Sequence, residues 1–224
     1  MPGTGGSSTP VHDGLKEEQR AGRDGWPPTL ALRVHRAISW FGRGEREGQD
    51  PDLRFILLWI AFNAAYAGEI GVETDSERER FRAFFDRLVR LDRDGTIFRQ
   101  VWERFPGEIR LLLDNRFVFA PFWHFHNGRG SAQWHLVFEQ ERTAIHKALR
   151  RKDTGAILST LFDRLYVLRN QLVHGGATWN SSVNRAQVRD GAAILMGLLP
   201  LFILLMMRHP GEDWGEPHYP VVAG

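Results

Sequence analysis

Residues 154–176 read TGAILSTLFDRLYVLRNQLVHGG. Ile157, Leu161, Leu165, Leu168 and Leu172 recur at spacings of three and four, the period of an α-helix with one apolar face. Gly175 and Gly176 follow the last apolar residue, where a residue free to take positive φ closes a helix. Such a face needs cover, and the chain supplies it on both sides. Residues 191–207 (GAAILMGLLPLFILLMM) carry no charge, and residues 53–68 (LRFILLWIAFNAAYAG) are apolar almost all round. Helices apolar on every side belong in an interior. No segment shows the alternation of a half-buried strand, so the fold class is all-α, a helical bundle.

The remaining segments fit around this core. From Thr29, Leu30, Val34, Ala37, Ile38 and Phe41 form a helical stripe, and Gly42 and Gly44 are expected to fray its end. Asp50-Pro51-Asp52 reads as a cap followed by an early-turn proline opening the apolar helix, which Gly68 would stop. Asp75 or Ser76 can cap a third helix, whose Phe81, Phe84, Phe85, Leu88 and Leu91 share one face. Shorter helical pieces flank Pro106, and a long helix resumes from Ser131. The last helix has Asn184 or Ser182 as a candidate cap. Residues 115–131, aromatic and ending in Gly-Arg-Gly, break the pattern and read as a loop or insertion. Residues 1–28 and 209–224 are rich in Gly, Pro and charge and read as flexible tails. That leaves one helical domain over residues 29–208.

The totals restrict function. The 224 residues carry a net charge of only +2 and no cysteine. Disulfides, thiolate catalysis and cysteine-ligated metals are excluded. The N-terminal MPGTGGSSTP lacks the apolar stretch of a secretory signal, which together with the missing cysteines leads to a cytoplasmic expectation. Of the 29 basic residues 26 are arginine, a bias that genome composition or phosphate recognition can produce. The uncharged run 191–207 is short for a bilayer span and contains Pro200. It is read as a buried helix, and no membrane association is expected.

The stretch that carries chemistry is Arg169-Asn170-Gln171-Leu172-Val173-His174, at the end of the helix quoted above. It resembles the R-x4–6-H motif of the HEPN superfamily, whose active members usually have a polar Asn, Asp or His after the arginine. Asn170 stands at that position. The short polar link after the motif and the apolar final helix also resemble the family, as does the upstream segment LLWIAFNAAY (Leu57 to Tyr66). The resemblance covers residues 30–208, is closest to stand-alone Apea-like proteins, and does not account for 115–131. It implies a homodimer through the motif helix, with two motifs sharing one cleft. It also implies a prokaryotic toxin or anti-phage setting, with an antitoxin or other regulator of unknown kind. HEPN toxins controlled by nucleotidyltransferases often carry a tyrosine two residues after the histidine. Gly176 occupies that place here.

The residue types fit RNA cleavage. RNA carries its own nucleophile, the 2′-OH, and an imidazole with a reference pKa near 6.5 can accept or deliver its proton. Arg169 would hold the non-bridging oxygens and offset charge that develops on them. Asn170 would orient the histidine or the phosphate. A helix C-terminus favours a cationic His174. No metal or cofactor is required, and the products would be a 2′,3′-cyclic phosphate and a 5′-hydroxyl. On an ideal helix five residues rotate His174 by about 140° from Arg169, so the pair converges only if the last turn unwinds or two chains meet. The same residues also fit ordinary helix capping, and a non-catalytic HEPN module that binds nucleic acid, a nucleotide or a protein is the alternative.

Other candidates are secondary. Asn63, an amide in an apolar helix, either braces the motif or faces a polar neighbour. Trp179 and Asn180 lie in the link after the motif, where Trp179 can stack on a base or anchor the loop. His124, His126 and His135 have partial zinc spacing, but packing among aromatics is the preferred reading. The arginines between Arg78 and Arg93 alternate with acids and read as a solvated helix face.

Overall fold

The computed structural model describes residues 11–66, 77–217 and 219. It is all-helical, and the described residues contain no β-strand. Gly68, Asp75 and Ser76, read above as helix stop and caps, lie outside the described residues, as do residues 1–10. The elements are α1 (Val11–Gly22), α2 (Pro28–Arg46), α3 (Pro51–Tyr66), α4 (Glu77–Leu91), α5 (Thr96–Arg99), α6 (Pro106–Leu113), α7 (Ala120–His126), α8 (Trp134–Arg151), α9 (Thr154–Val173) and α10 (Arg185–Arg208). A π-turn, Gln100–Arg104, continues α5, and a 3-10 turn, Arg116–Val118, precedes α7.

The core is built from the apolar faces read in the sequence. Leu30, Val34, Ala37, Ile38 and Phe41 of α2 are buried, as are Phe81, Phe84, Phe85, Leu88 and Leu91 of α4 and Ile157, Leu161, Leu165 and Leu168 of α9. Leu172, the last of that stripe, is half-buried against them. Phe162 lies at the centre, with ring centroids 4.4 Å from Phe62, 4.7 Å from Phe85 and 6.0 Å from Phe202. Four helices thus meet through one aromatic cluster. Helix α10 as a whole, 24 residues, is long and apolar enough to cross a membrane by length and composition, and 61% of its most apolar window is buried inside the fold. Its partners are α3, α2 and α1, with α9 and α4 closing the other side. At Gly191 an added Cβ would stand 2.9 Å from Phe55 and 3.0 Å from Leu165, so α10 approaches α3 and α9 closely there.

Four expectations need correction. Residues 11–28 are not a loose tail. Helix α1 buries Leu15, and the backbone N–H groups of Val11 and His12 donate to Glu45. The signal was weak because α1 buries only one large apolar side chain. Gly42 and Gly44 do not fray α2, which runs on to Arg46. A Cβ at Gly42 would collide with the His12 ring, and one at Gly44 would approach Leu58 to 2.9 Å, so these glycines are close-packing points. The segment after α10 is also fixed. Trp214 is buried, and the buried Arg33 guanidinium donates to the carbonyls of Ala65, Gly215 and Glu216. Burial lowers the Arg33 pKa, against the charges of Glu216 and Asp213. Lastly, Asn184 precedes α10, but its side chain makes no capping bond.

The aromatic segment 115–131 is a structured annex. Phe119, Phe122 and Phe138 form a second small core with Trp123 and Trp134 packed on it. Arg164 of α9 ties this annex to the bundle. Its guanidinium lies over the Phe119 ring at 4.7 Å, and it pairs with Glu141 of α8 at 3.0 Å. Gln171 adds a second tie by donating to the Phe117 carbonyl at 2.7 Å.

Candidate functional site

The motif sits where a buried helix emerges. Asp153 caps the start of α9 by accepting from the Ala156 N–H, and the apolar face from Ile157 to Leu168 seats the helix in the core. Arg169, the sixteenth of its 20 residues, is half-buried. Its Nη1 donates to Asn170 Oδ1 at 2.8 Å. No carboxylate among the described residues pairs with it. The guanidinium therefore keeps several N–H donors for another acceptor.

His174 is the C-cap of α9 and is exposed. Its backbone N–H still reaches the Asn170 carbonyl at 3.0 Å, so the last turn stays helical. Gly175 then turns the chain with φ of 70°, and Ala177 N–H closes on the Gln171 carbonyl. The imidazole has no hydrogen-bond partner among the described residues. Because the helix holds to Val173, Arg169 and His174 are separated by about 7.5 Å of rise and point in different directions. One chain presents the two groups on one helix tip, turned apart, and does not close them on one point.

The link beyond the motif is held to the start of α3. Asp50 caps α3 through one carboxylate oxygen, accepting from the Asp52 and Leu53 N–H groups. Its other oxygen accepts from the Trp179 indole N–H at 2.7 Å. Partial burial raises the Asp50 pKa, but the Trp179 bond, the two backbone N–H groups and the charge of Arg185 outweigh it and hold the carboxyl below its ordinary value. Asp52 accepts from the Asn180 N–H at 2.8 Å and pairs with Arg185 at 3.0 Å. Asn180 itself has φ of 57°, a left-handed conformation that asparagine tolerates better than most residues.

These contacts place the sequence candidates. Arg169, Asn170 and His174 share one helix end, and Trp179 and Asn180 are fixed by two acids that no local pattern links to them. Asn63 lies half-buried on α3, and its amide makes no hydrogen bond to Arg169 or His174. Asp50, Asp52 and Gln171 are positioning residues that sequence reading missed. Asp50 was legible as a cap, while its second partner is 129 residues away. A groove of about 580 Å³ lies between the end of α6 with its following turn and the start of α10, lined among others by Asn115, Arg116, Phe117 and Gln187. Two of the candidate zinc histidines have other contacts. His126 packs 4.3 Å from the Phe122 ring, and His135 Nδ1 lies 3.0 Å from the Ala132 carbonyl. No group of three or more metal-ligating side chains occurs among the described residues.

No family model matches the chain, and no characterised protein or solved structure matches it.

Proposed function

We propose that this chain is a HEPN-type endoribonuclease that cuts RNA without a metal. The observation that carries the reading is the Arg169 guanidinium, held by Asn170 at 2.8 Å and unpaired with any described carboxylate, beside a solvent-open His174 on the same helix tip. Arg169 binds the non-bridging phosphate oxygens. The His174 imidazole accepts the 2′-OH proton, the 2′-oxygen attacks phosphorus, and the bond to the 5′-oxygen breaks. The leaving oxygen takes a proton from the imidazolium so formed, which gives a 2′,3′-cyclic phosphate and a 5′-hydroxyl. Because the two side chains diverge along α9, Arg169 of one chain and His174 of a second chain act on one phosphodiester in a homodimer. The cytoplasmic toxin or anti-phage setting, with its unidentified regulator, belongs to this same reading.

The test is cleavage of single-stranded RNA by the purified chain in EDTA. Retained cleavage with 2′,3′-cyclic phosphate ends is expected. His174→Ala should lose about 10²–10⁴-fold, the usual share of a general acid–base group, and Arg169→Ala about 10²–10³-fold. Unchanged rates in both variants, or cleavage that requires added metal, would refute the mechanism.

A further inference from the structure

The Trp179 side chain is arranged in an uncommon way. An indole that anchors a loop buries its ring and points its N–H at a partner. Here the polar edge is fixed, with the N–H on Asp50 Oδ2 at 2.7 Å, while 75% of the residue stays in solvent. The backbone beside it is fixed as well, since the Asn180 N–H sits on Asp52 and Asn180 occupies the left-handed region. The carboxylates at this edge are already engaged: Asp50 accepts from three N–H groups, and Asp52 is paired with Arg185. Trp179 follows His174 by five residues, which keeps their Cα atoms within about 18 Å even for a fully extended link. That is the span of a few nucleotides.

We propose that the exposed face of Trp179 is a stacking subsite for one unpaired base of the RNA, close to the phosphodiester held at Arg169 and His174. The proposal rests on the ribonuclease reading and deepens it: the substrate is single-stranded, with one base turned onto the indole. Stacking on a ring tolerates any base, so the subsite selects unpaired RNA over duplex without selecting sequence. Asp50 and Asp52 act as positioning residues, which hold the platform before RNA arrives and so reduce the ordering cost of binding.

The experiment is fluorescence anisotropy with a labelled 12-nucleotide single-stranded RNA, using the full chain carrying His174→Ala so that the probe stays intact. Trp179→Ala and Trp179→Phe are added to that background. Trp179→Ala should weaken binding by about 5- to 150-fold, the range that one stacked base spans. Trp179→Phe, which keeps a ring, should retain most of the affinity. An abasic site moved along the probe should reproduce the loss at one position, where Trp179→Ala then adds nothing further. Equal binding by all three proteins overturns the subsite, as does a loss that adds to every abasic position. A loss that follows a shift from dimer to monomer overturns it too, and assigns the ring to a chain–chain contact. Failure of the subsite is separable from failure of the nuclease. Metal-free cleavage that depends on His174 but not on Trp179 leaves the nuclease standing. Binding that depends on Trp179 without any cleavage by the wild type leaves the platform and removes the nuclease.

Discussion

Glu141→Ala should be among the most damaging single changes away from the motif. Arg164 and Glu141 pair at 3.0 Å with side-chain exposures of 3% and 11%, and the guanidinium also covers Phe119 at 4.7 Å and Phe138 at 5.9 Å. Removing the carboxylate takes a charged partner from a guanidinium packed against aromatic rings. Breaking a buried pair from one side costs about 3–5 kcal/mol. For a chain of this size that corresponds to about 6–20 °C in Tm, at 2–4 °C per kcal/mol. Glu141→Gln keeps an acceptor and should lose less. Joint replacement of both residues by methionine removes the guanidinium together with its carboxylate and should recover most of the loss, because apolar substitutes for buried pairs are often neutral or better. Urea denaturation of the four proteins reads these differences directly. If Glu141→Ala lies within about 1 kcal/mol of wild type, a range typical of exposed pairs, then Arg164 does not depend on that carboxylate. If the double variant is as weak as the single one, the loss comes from packing. The pair bears on the proposed site because it clamps α8 and the aromatic annex onto α9, five residues before Arg169.

Three further outcomes follow from the geometry. Gly191→Ala places a Cβ 2.9 Å from Phe55 and 3.0 Å from Leu165; overpacking should cost about 1–3 kcal/mol, and an unchanged denaturation midpoint would show that α10 can shift away from α3. The Asp50 pKa is held down in the fold, so its contribution is present above the ordinary carboxylate range and is lost as pH falls through the depressed value. Wild type should therefore lose more stability than Trp179→Phe between pH 5 and pH 2, each figure being about a whole unit, and parallel losses in urea titrations would discount the indole bond. Mixing Arg169→Ala with His174→Ala chains should restore about one quarter of wild-type cleavage after subunit exchange, since half the dimers are mixed and each carries one intact site of two; no recovery would mean that each site is built within one chain.

The interior was legible because it rests on periodicity. Phe81, Phe84, Phe85 and Leu88 lie on one face at any helical register, and burial follows from that face alone. The end of α9 was legible for the same reason, since Gly175 takes the positive φ that a helix stop requires. What sequence could not give were pairings between distant residues. Asp50 meeting Trp179, Gln171 meeting the Phe117 carbonyl, and Arg164 meeting Glu141 are single polar contacts. A single contact leaves no repeat in the sequence. The aromatic annex was opaque for a related reason. Its second core has three buried rings drawn from two segments, too few within either one to set a period.

The helix end also constrains how any chemistry here can work. Had the last turn of α9 unwound, Arg169 and His174 could have converged within one chain. The Asn170 carbonyl instead keeps its bond to the His174 N–H at 3.0 Å, and the turn begins only at Gly175. The backbone thus preserves the rotation of about 140° between the two side chains. A guanidinium committed to Asn170 cannot swing freely across that gap without losing its 2.8 Å bond. In the proposed homodimer, two-fold pairing of helix tips would bring the arginine of one chain toward the histidine of the other. Dimerisation in the proposed enzyme is therefore a requirement of the site, and a monomeric variant that still cut RNA through both residues would contradict the whole arrangement.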